Sequence, residues 1–81
     1  MALDPEQILQ GHCYSNGEFG KKWTVWQVAE IFIDDLDIEM VRYRILVGAN
    51  RRKYKTLSRD DFASQVRYAV ELMESTWQRV I

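Results

Sequence analysis

The segment Trp23–Ile33 constrains the fold more than any other, because β-branched and aromatic residues dominate it and it contains neither glycine nor proline. Such side chains pack well on a pleated surface, so the segment predicts a long β-strand. Alternate residues of a strand point to opposite sides. We expect the side that carries Val25 and Ile31 to face the core, and the side that carries Trp26 and Phe32 to be only partly covered.

Two more strands are predicted downstream. The acidic segment Asp34–Glu39 is interpreted as a hairpin loop. The segment Met40–Val47 then alternates apolar residues with arginines, which is typical of a strand with one solvent-exposed face. A second turn at Gly48–Asn50 leads into a third strand at Arg52–Leu57. Consecutive strands joined by short turns predict a three-stranded antiparallel meander.

The C-terminal third predicts an amphipathic helix. Ser58 has N-cap chemistry, and Asp60 and Asp61 place negative charge in the first turn, where it complements the helix dipole. Apolar side chains then recur at helical spacing, at Phe62, Val66, Ala69, Val70, Met73 and Trp77. The expected helix runs from about Arg59 to about Thr76 and packs against the meander, which gives a small α+β domain.

The same segment has a second interpretation. A short helix at Ser58–Gln65 followed by a strand at Val66–Leu72 also fits, because apolar and polar residues alternate through the second part. With that extra strand the domain would resemble a small SH3-like β-barrel.

A short helix is also expected near the N-terminus, where Asp4–Glu6 has N-cap and first-turn chemistry and Gly11 can end the helix. Turn signals follow it. Asn16–Gly17 is a dipeptide that type I′ hairpin turns prefer, and Tyr14 and Phe19 are expected to flank that turn.

Length and composition predict one soluble domain over residues 1–81. With 47% apolar residues, the chain has enough apolar surface to offset the entropy lost on folding, and 81 residues are too few for two domains. Cys13 is the lone cysteine, so no intramolecular disulfide can form and a reducing compartment is expected. No stretch has the apolar length of a membrane span or the pattern of a secretory leader, which predicts a cytoplasmic protein with no membrane partner.

Charge is sharply divided along the middle of the chain. Residues 30–39 contain five acidic residues and no basic one, whereas residues 42–59 contain seven basic residues and no acidic one. The net charge is only −1, so an anionic partner would be met by a local surface. The alternative is a solvated sheet face, whose cationic stems cover apolar surface and whose charge Glu30 and the acidic loop neutralise.

The predicted partner-binding surface combines these cations with the partly covered side of the first strand. If Val25 and Val41 share the core, Trp26 is expected to lie beside the arginines. Tryptophan and arginine are over-represented among the residues that dominate interface energetics. The predicted surface comprises Trp26, Phe32, Arg42, Arg44, Lys53 and Lys55.

No catalytic, cofactor or metal site is predicted. His12 and Cys13 are adjacent, but no second cysteine or histidine can complete a zinc site within one chain. The acidic loop lacks the spacing and the central glycine of an EF-hand. The chain also lacks a Gly-rich phosphate loop and a nucleophile elbow, so we expect no enzyme.

The sequence therefore favours a non-enzymatic protein–protein interaction module that self-associates. Three tryptophans and three phenylalanines exceed what a helix and one side of a three-stranded sheet would bury, which leaves an apolar patch for a protein partner or a second copy. The alternative is a nucleic-acid-binding accessory or regulatory protein that uses the basic aromatic sheet face, where rings stack on bases and cations meet phosphates.

Overall fold

The computed structural model describes residues 3–17 and 22–80, and an antiparallel sheet dominates them. Phe19, the expected flank of the first hairpin, lies outside the described residues. The elements in chain order are a 3-10 helix at Pro5–Gln7, β1 at Cys13–Ser15, β2 at Val25–Ile33, β3 at Glu39–Val47, β4 at Tyr54–Ser58, α1 at Arg59–Gln65, β5 at Tyr68–Met73 and β6 at Thr76–Arg79. The strands lie side by side in the order β4-β3-β2-β1-β5-β6.

The predicted three-stranded meander packed on a long helix is wrong, although the chain does form a small α+β domain. The described residues form six strands in an open sheet, with a seven-residue α-helix. Strands β1 to β4 pair consecutively, and α1 then carries the chain back from edge strand β4 to β5, which pairs with β1. The SH3-like barrel does not form either, because β4 and β6 stay at opposite edges of the sheet.

Helix α1 ends at Gln65 rather than near Thr76. It begins as expected, because the Ser58 hydroxyl accepts a hydrogen bond from the Asp61 N–H at 3.1 Å. Val66 then adopts extended backbone, with φ −105° and ψ 154°. Strand β5 follows and pairs with β1 on one side and with β6 on the other, so the sheet satisfies the backbone groups that a longer helix would have paired internally.

The core lies on one face of the sheet, against α1 and the N-terminal segment. Phe62 of α1 is fully buried, and its ring centroid lies 5.8 Å from that of Tyr14, 5.7 Å from that of Trp26 and 5.2 Å from that of Tyr43. Ile8 is buried in the same cluster. Tilted and edge-to-face rings of this kind add stability beyond the area they bury. This side of the sheet is named the helix-covered face, and the opposite side the open face.

Two irregularities in the pairing of β2 with β3 decide which side chains reach each face. The register shifts between Val25 and Trp26, and again after Val28. The first shift skips Leu46 of β3 and the second skips Ala29 of β2, so the second interrupts the alternation of side chains along β2. As a result Trp26 joins the helix-covered face, packed on the core. The expectation that Val25 shares this core with Val41 is wrong, because Val25 is buried outside the cluster that contains Val41.

Candidate binding surfaces on the open face

The open face carries two different surfaces side by side. In its centre, Cys13 of β1 lies opposite Gln27 of β2 and Val70 of β5. Towards the β4 edge, Arg44 of β3 lies opposite Tyr54 of β4. Partners in an antiparallel ladder share a face, so the first group borders an apolar region and the second builds a cationic, aromatic one.

The apolar region is an open groove of about 580 Å³. We name it the Leu46–Trp77 groove, and its apolar walls come from Leu46, Val70, Leu72, Trp77 and Val80. Leu72 is 58% exposed and Val80 is 47% exposed, although both line a concavity. Exposed apolar side chains that gather in one place mark interaction surfaces, whereas singly scattered ones do not.

Cys13 and His12 lie in the wall of this groove. The Cys13 thiol is half-buried, and burial raises its pKa above the ordinary value, which keeps it protonated at neutral pH. A protonated thiol is a poor nucleophile and a poor metal ligand. Within residues 3–17 and 22–80, no group of three or more histidine, cysteine or acidic side chains is placed to hold a metal ion.

The cationic region is the Arg42–Tyr54–Arg44 cluster. The Arg42 guanidinium carbon lies 4.3 Å from the centroid of the Tyr54 ring, and that of Arg44 lies 5.9 Å from it. Tyr54 is 49% exposed on edge strand β4. Cations over an aromatic face are attracted by the ring quadrupole, so the ring holds both guanidinium groups on the open face.

The structure brings only part of the predicted partner-binding surface together. Phe32 is partly buried on the open face, opposite Met40 of β3, and shares that face with Arg42 and Arg44. Trp26 does not join them, because it packs on the helix-covered face with its ring 4.7 Å from that of Tyr43.

The two lysines of the predicted surface also separate from the arginines. Lys55 lies opposite Tyr43 in the ladder and therefore points to the helix-covered side. Lys53 is exposed in the turn that precedes β4. The expected proximity of Trp26, Lys55 and the two arginines is wrong.

The end of the sheet formed by the β2–β3 loop is acidic. The Asp34 carboxylate orders this loop by accepting hydrogen bonds from the N–H groups of Leu36 at 2.9 Å and Ile38 at 3.0 Å. Asp37, Glu39 and Asp60 line a shallow depression at the same end. The salt bridge seen in the described part of the chain, between Arg59 and Glu39 at 2.7 Å, leaves the other carboxylates unneutralised. We name this region the acidic end.

The opposite end of the sheet is basic. Residues 51–53 are exposed in the β3–β4 turn and contribute three cations. Arg67 lies at the same end, immediately before β5, and its N–H donates to the carbonyl of Ser15, the last residue of β1. Strand β3 spans nine residues between the two ends, so the opposite charges are separated by roughly 30 Å. We name this region the basic end.

Sequence reasoning missed the groove and the position of Tyr54. The helical interpretation places Trp77 in its apolar stripe and the alternative interpretation ends a strand at Leu72, whereas the two residues face each other across the β5–β6 hairpin. Strand alternation separates Tyr54 from Lys55, but the contact of Tyr54 with the arginines of β3 depends on the ladder register. The alternation of Tyr68, Val70 and Leu72 was the available signal for β5.

Comparison with protein-family models, curated protein sequences and solved structures found no match. In the described residues no helix is long and apolar enough to cross a membrane. Inference about function therefore rests on the geometry of these surfaces.

Proposed function

We propose that this protein is a non-enzymatic protein-binding module that docks a second copy of itself through the Leu46–Trp77 groove. The observation that carries the proposal is the pair of exposed side chains, Leu72 and Val80, in a concave apolar region that neither helical segment covers. Burying such surface is favourable by about 25 cal/mol per Å². The lone, half-buried cysteine also fits a reducing compartment, and we propose a cytoplasmic location.

A second copy is the occupant that the charge distribution favours. The acidic end and the basic end of one molecule are complementary to each other, so two copies that face in opposite directions attract at both ends. Two copies that face in the same direction would instead bring like charges together.

This arrangement follows from a two-fold axis that lies between the open faces and perpendicular to the strands. Such an axis reverses the strand direction and places the acidic β2–β3 loop of each copy over the basic β3–β4 turn of the other. Contacts of this kind are isologous and close after two subunits. The module is therefore expected to form a dimer rather than a fibre.

Light scattering coupled to size-exclusion chromatography tests the proposal. The wild-type protein should elute as a dimer, and Leu72→Glu should be monomeric because it places a charge in the groove. Ile33→Glu is the matched control, since Ile33 is 66% exposed and shares the helix-covered face with Ile31, away from the groove and from the open-face contact.

Both variants change highly exposed side chains, so far-ultraviolet circular dichroism should show wild-type folding. A monomeric wild-type protein at a concentration of about 100 μM, well above the Kd of a specific dimer, would overturn the proposal. A dimer that survives Leu72→Glu would overturn the assignment of the groove. Equal loss of the dimer in Ile33→Glu would show that added charge, not the groove, is responsible.

A further inference from the structure

We infer that the Arg42–Tyr54–Arg44 cluster and the adjoining basic turn form a binding site for single-stranded nucleic acid. The Arg42–Tyr54–Arg44 cluster lies on the β4 half of the open face, outside the Leu46–Trp77 groove. In the dimer proposed above the open faces meet and the β2–β3 loop of one copy covers the β3–β4 turn of the other, so we expect self-association and nucleic-acid binding to compete.

The first step is that, among the described residues, neither Arg42 nor Arg44 forms a salt bridge. Glu30 lies directly opposite Arg42 in the β2–β3 ladder, yet the two form no salt bridge. The acidic loop does not reach them either, since its ion pair in the described residues is made with Arg59. The two guanidinium groups are held by an aromatic ring instead, which leaves their charge available to an external anion.

The second step concerns Arg44. Its Nε is buried and has no hydrogen-bond partner among the described residues. A buried donor without an acceptor costs about 1–3 kcal/mol. The buried Nε is out of reach of an external anion in this arrangement, so an anion seated on the cluster would meet the Arg44 guanidinium at its terminal nitrogens.

The third step is that the adjoining turn is ordered and continues the positive surface. The Arg52 N–H donates to the Ile45 carbonyl at 2.7 Å, and the Ile45 N–H donates to the Lys53 carbonyl at 3.0 Å. Arg51 is exposed in the same turn. At about 3.3 Å per residue, the cations from Arg42 to the turn form a track roughly 15 Å long.

The chemistry of this track favours a single strand. An exposed tyrosine ring flanked by arginines gives an unstacked base a planar surface, while the neighbouring cations bind successive phosphates. A duplex keeps its bases stacked and is read by an element inserted into a groove. The cluster lies on the surface of a sheet and does not protrude as such an element would.

The test is fluorescence anisotropy with a labelled mixed-sequence oligonucleotide of about 20 nucleotides, long enough to cover the site of one small fold. Arg42→Gln should weaken binding about fivefold or more, and Tyr54→Ala about fivefold or more through lost stacking. Lys55→Gln also removes one positive charge, but from the opposite face of the neighbouring strand β4, and it should change the affinity by less than about twofold.

Salt and competing ligands complete the experiment. The affinity should fall as the salt concentration rises. Arg42→Gln should reduce the slope of log affinity against log salt concentration by about one, because one phosphate contact is lost. The inference is overturned if neither the wild-type protein nor the monomeric Leu72→Glu variant binds the oligonucleotide at low salt. It is also overturned if Lys55→Gln is as damaging as Arg42→Gln, or if a duplex or anionic lipid vesicles bind more tightly than the single strand.

Leu72→Glu separates this inference from the proposed function. It should abolish the dimer while each chain still binds the oligonucleotide. Loss of the dimer together with all binding in Leu72→Glu would overturn the inference, because Leu72 lies in the groove and outside the cluster.

Discussion

Arg59 donates a hydrogen bond from Nη2 to the carbonyl oxygen of Ile8 at 2.7 Å. The same side chain donates from Nε to the Pro5 carbonyl at 2.8 Å and from Nη1 to the Glu39 carboxylate at 2.7 Å. Arg59 is the first residue of α1, so one guanidinium group joins the N-terminal segment, the helix and the start of β3. The side chain is mostly buried and makes two contacts with the N-terminal segment and one with β3.

Arg59→Ala should destabilise the protein by about 2–3 kcal/mol, because two partly buried carbonyls lose charged hydrogen bonds. Arg59→Lys should recover only part of this, since an ammonium group cannot reach three acceptors in a fork. Urea unfolding measures the effect. Arg51→Ala, in an exposed turn, should stay within about 0.5 kcal/mol of wild type; an equal effect at both positions would contradict the role given to Arg59.

Tyr14→Phe should destabilise the protein by about 1–2 kcal/mol while leaving the aromatic core in place. The Tyr14 hydroxyl donates to the Gln7 carbonyl at 2.7 Å and accepts from the Leu9 N–H at 2.8 Å, so it fixes the segment before β1. Tyr54→Phe is the matched control, because that ring is half exposed. Hydrogen exchange should show faster exchange of the Leu9 amide in Tyr14→Phe, and unchanged exchange would rule out the tether.

The β5–β6 hairpin was not predicted, because its turn residues are not the ones that such turns normally use. Glu74 and Ser75 both have positive φ, at 49° and 68°, as the two central residues of a type I′ hairpin turn require. Such turns normally use asparagine or glycine, so this one is silent in the sequence. Long-range pairing with β1 then overrode the helical spacing of Phe62 and Val66 with later apolar residues.

The β2–β3 hairpin shows the opposite case. Its strands and its acidic loop lie close to the predicted positions, because period-two alternation and turn residues are local signals. The face of Trp26 was not predictable, since it depends on register shifts that leave no mark in composition. The arginines of the candidate site were identified from the sequence, and their aromatic partner was not.

Gly48→Ala should cost more stability than Gly11→Ala, although both glycines have positive φ. Each substitution strains the backbone by about 1 kcal/mol. A Cβ at Gly48 would also lie 2.6 Å from the Thr24 Cγ2, whereas a Cβ at Gly11 meets nothing within 4 Å. Urea unfolding of the two variants provides the comparison. Equal losses would show that the contact with Thr24 is relieved at no cost.

Stability should fall on the alkaline side. Burial raises the pKa of the Cys13 thiol above its ordinary value of 9.0, and it raises the pKa of the Tyr14 and Tyr43 phenols above 10.0. The unfolded chain therefore releases these protons at lower pH than the folded chain does. Stability from these groups is complete below about pH 9 and is lost as the pH rises through the folded-state pKa values.

Urea unfolding at about pH 8 and at about pH 10.5 measures this loss. Tyr43→Phe should reduce the difference in unfolding free energy between the two conditions, because one buried acid has been removed. The exposed Tyr54 provides the control, and Tyr54→Phe should leave the difference at its wild-type size. A wild-type protein equally stable at both pH values would contradict the prediction.

The opposite directions of the two copies can be tested by cross-linking in a Cys13→Ser background. Asp35→Cys and Arg51→Cys place thiols at the acidic end and at the basic end, which lie roughly 30 Å apart in one chain. Mixing the two variants, one of them isotope-labelled, and oxidising the mixture should yield the disulfide between position 35 and position 51. Tryptic mass spectrometry identifies the pair. A disulfide between position 35 of one copy and position 35 of the other would contradict the predicted orientation, because only copies that face the same way bring their acidic ends together. It would leave the proposal of self-association intact.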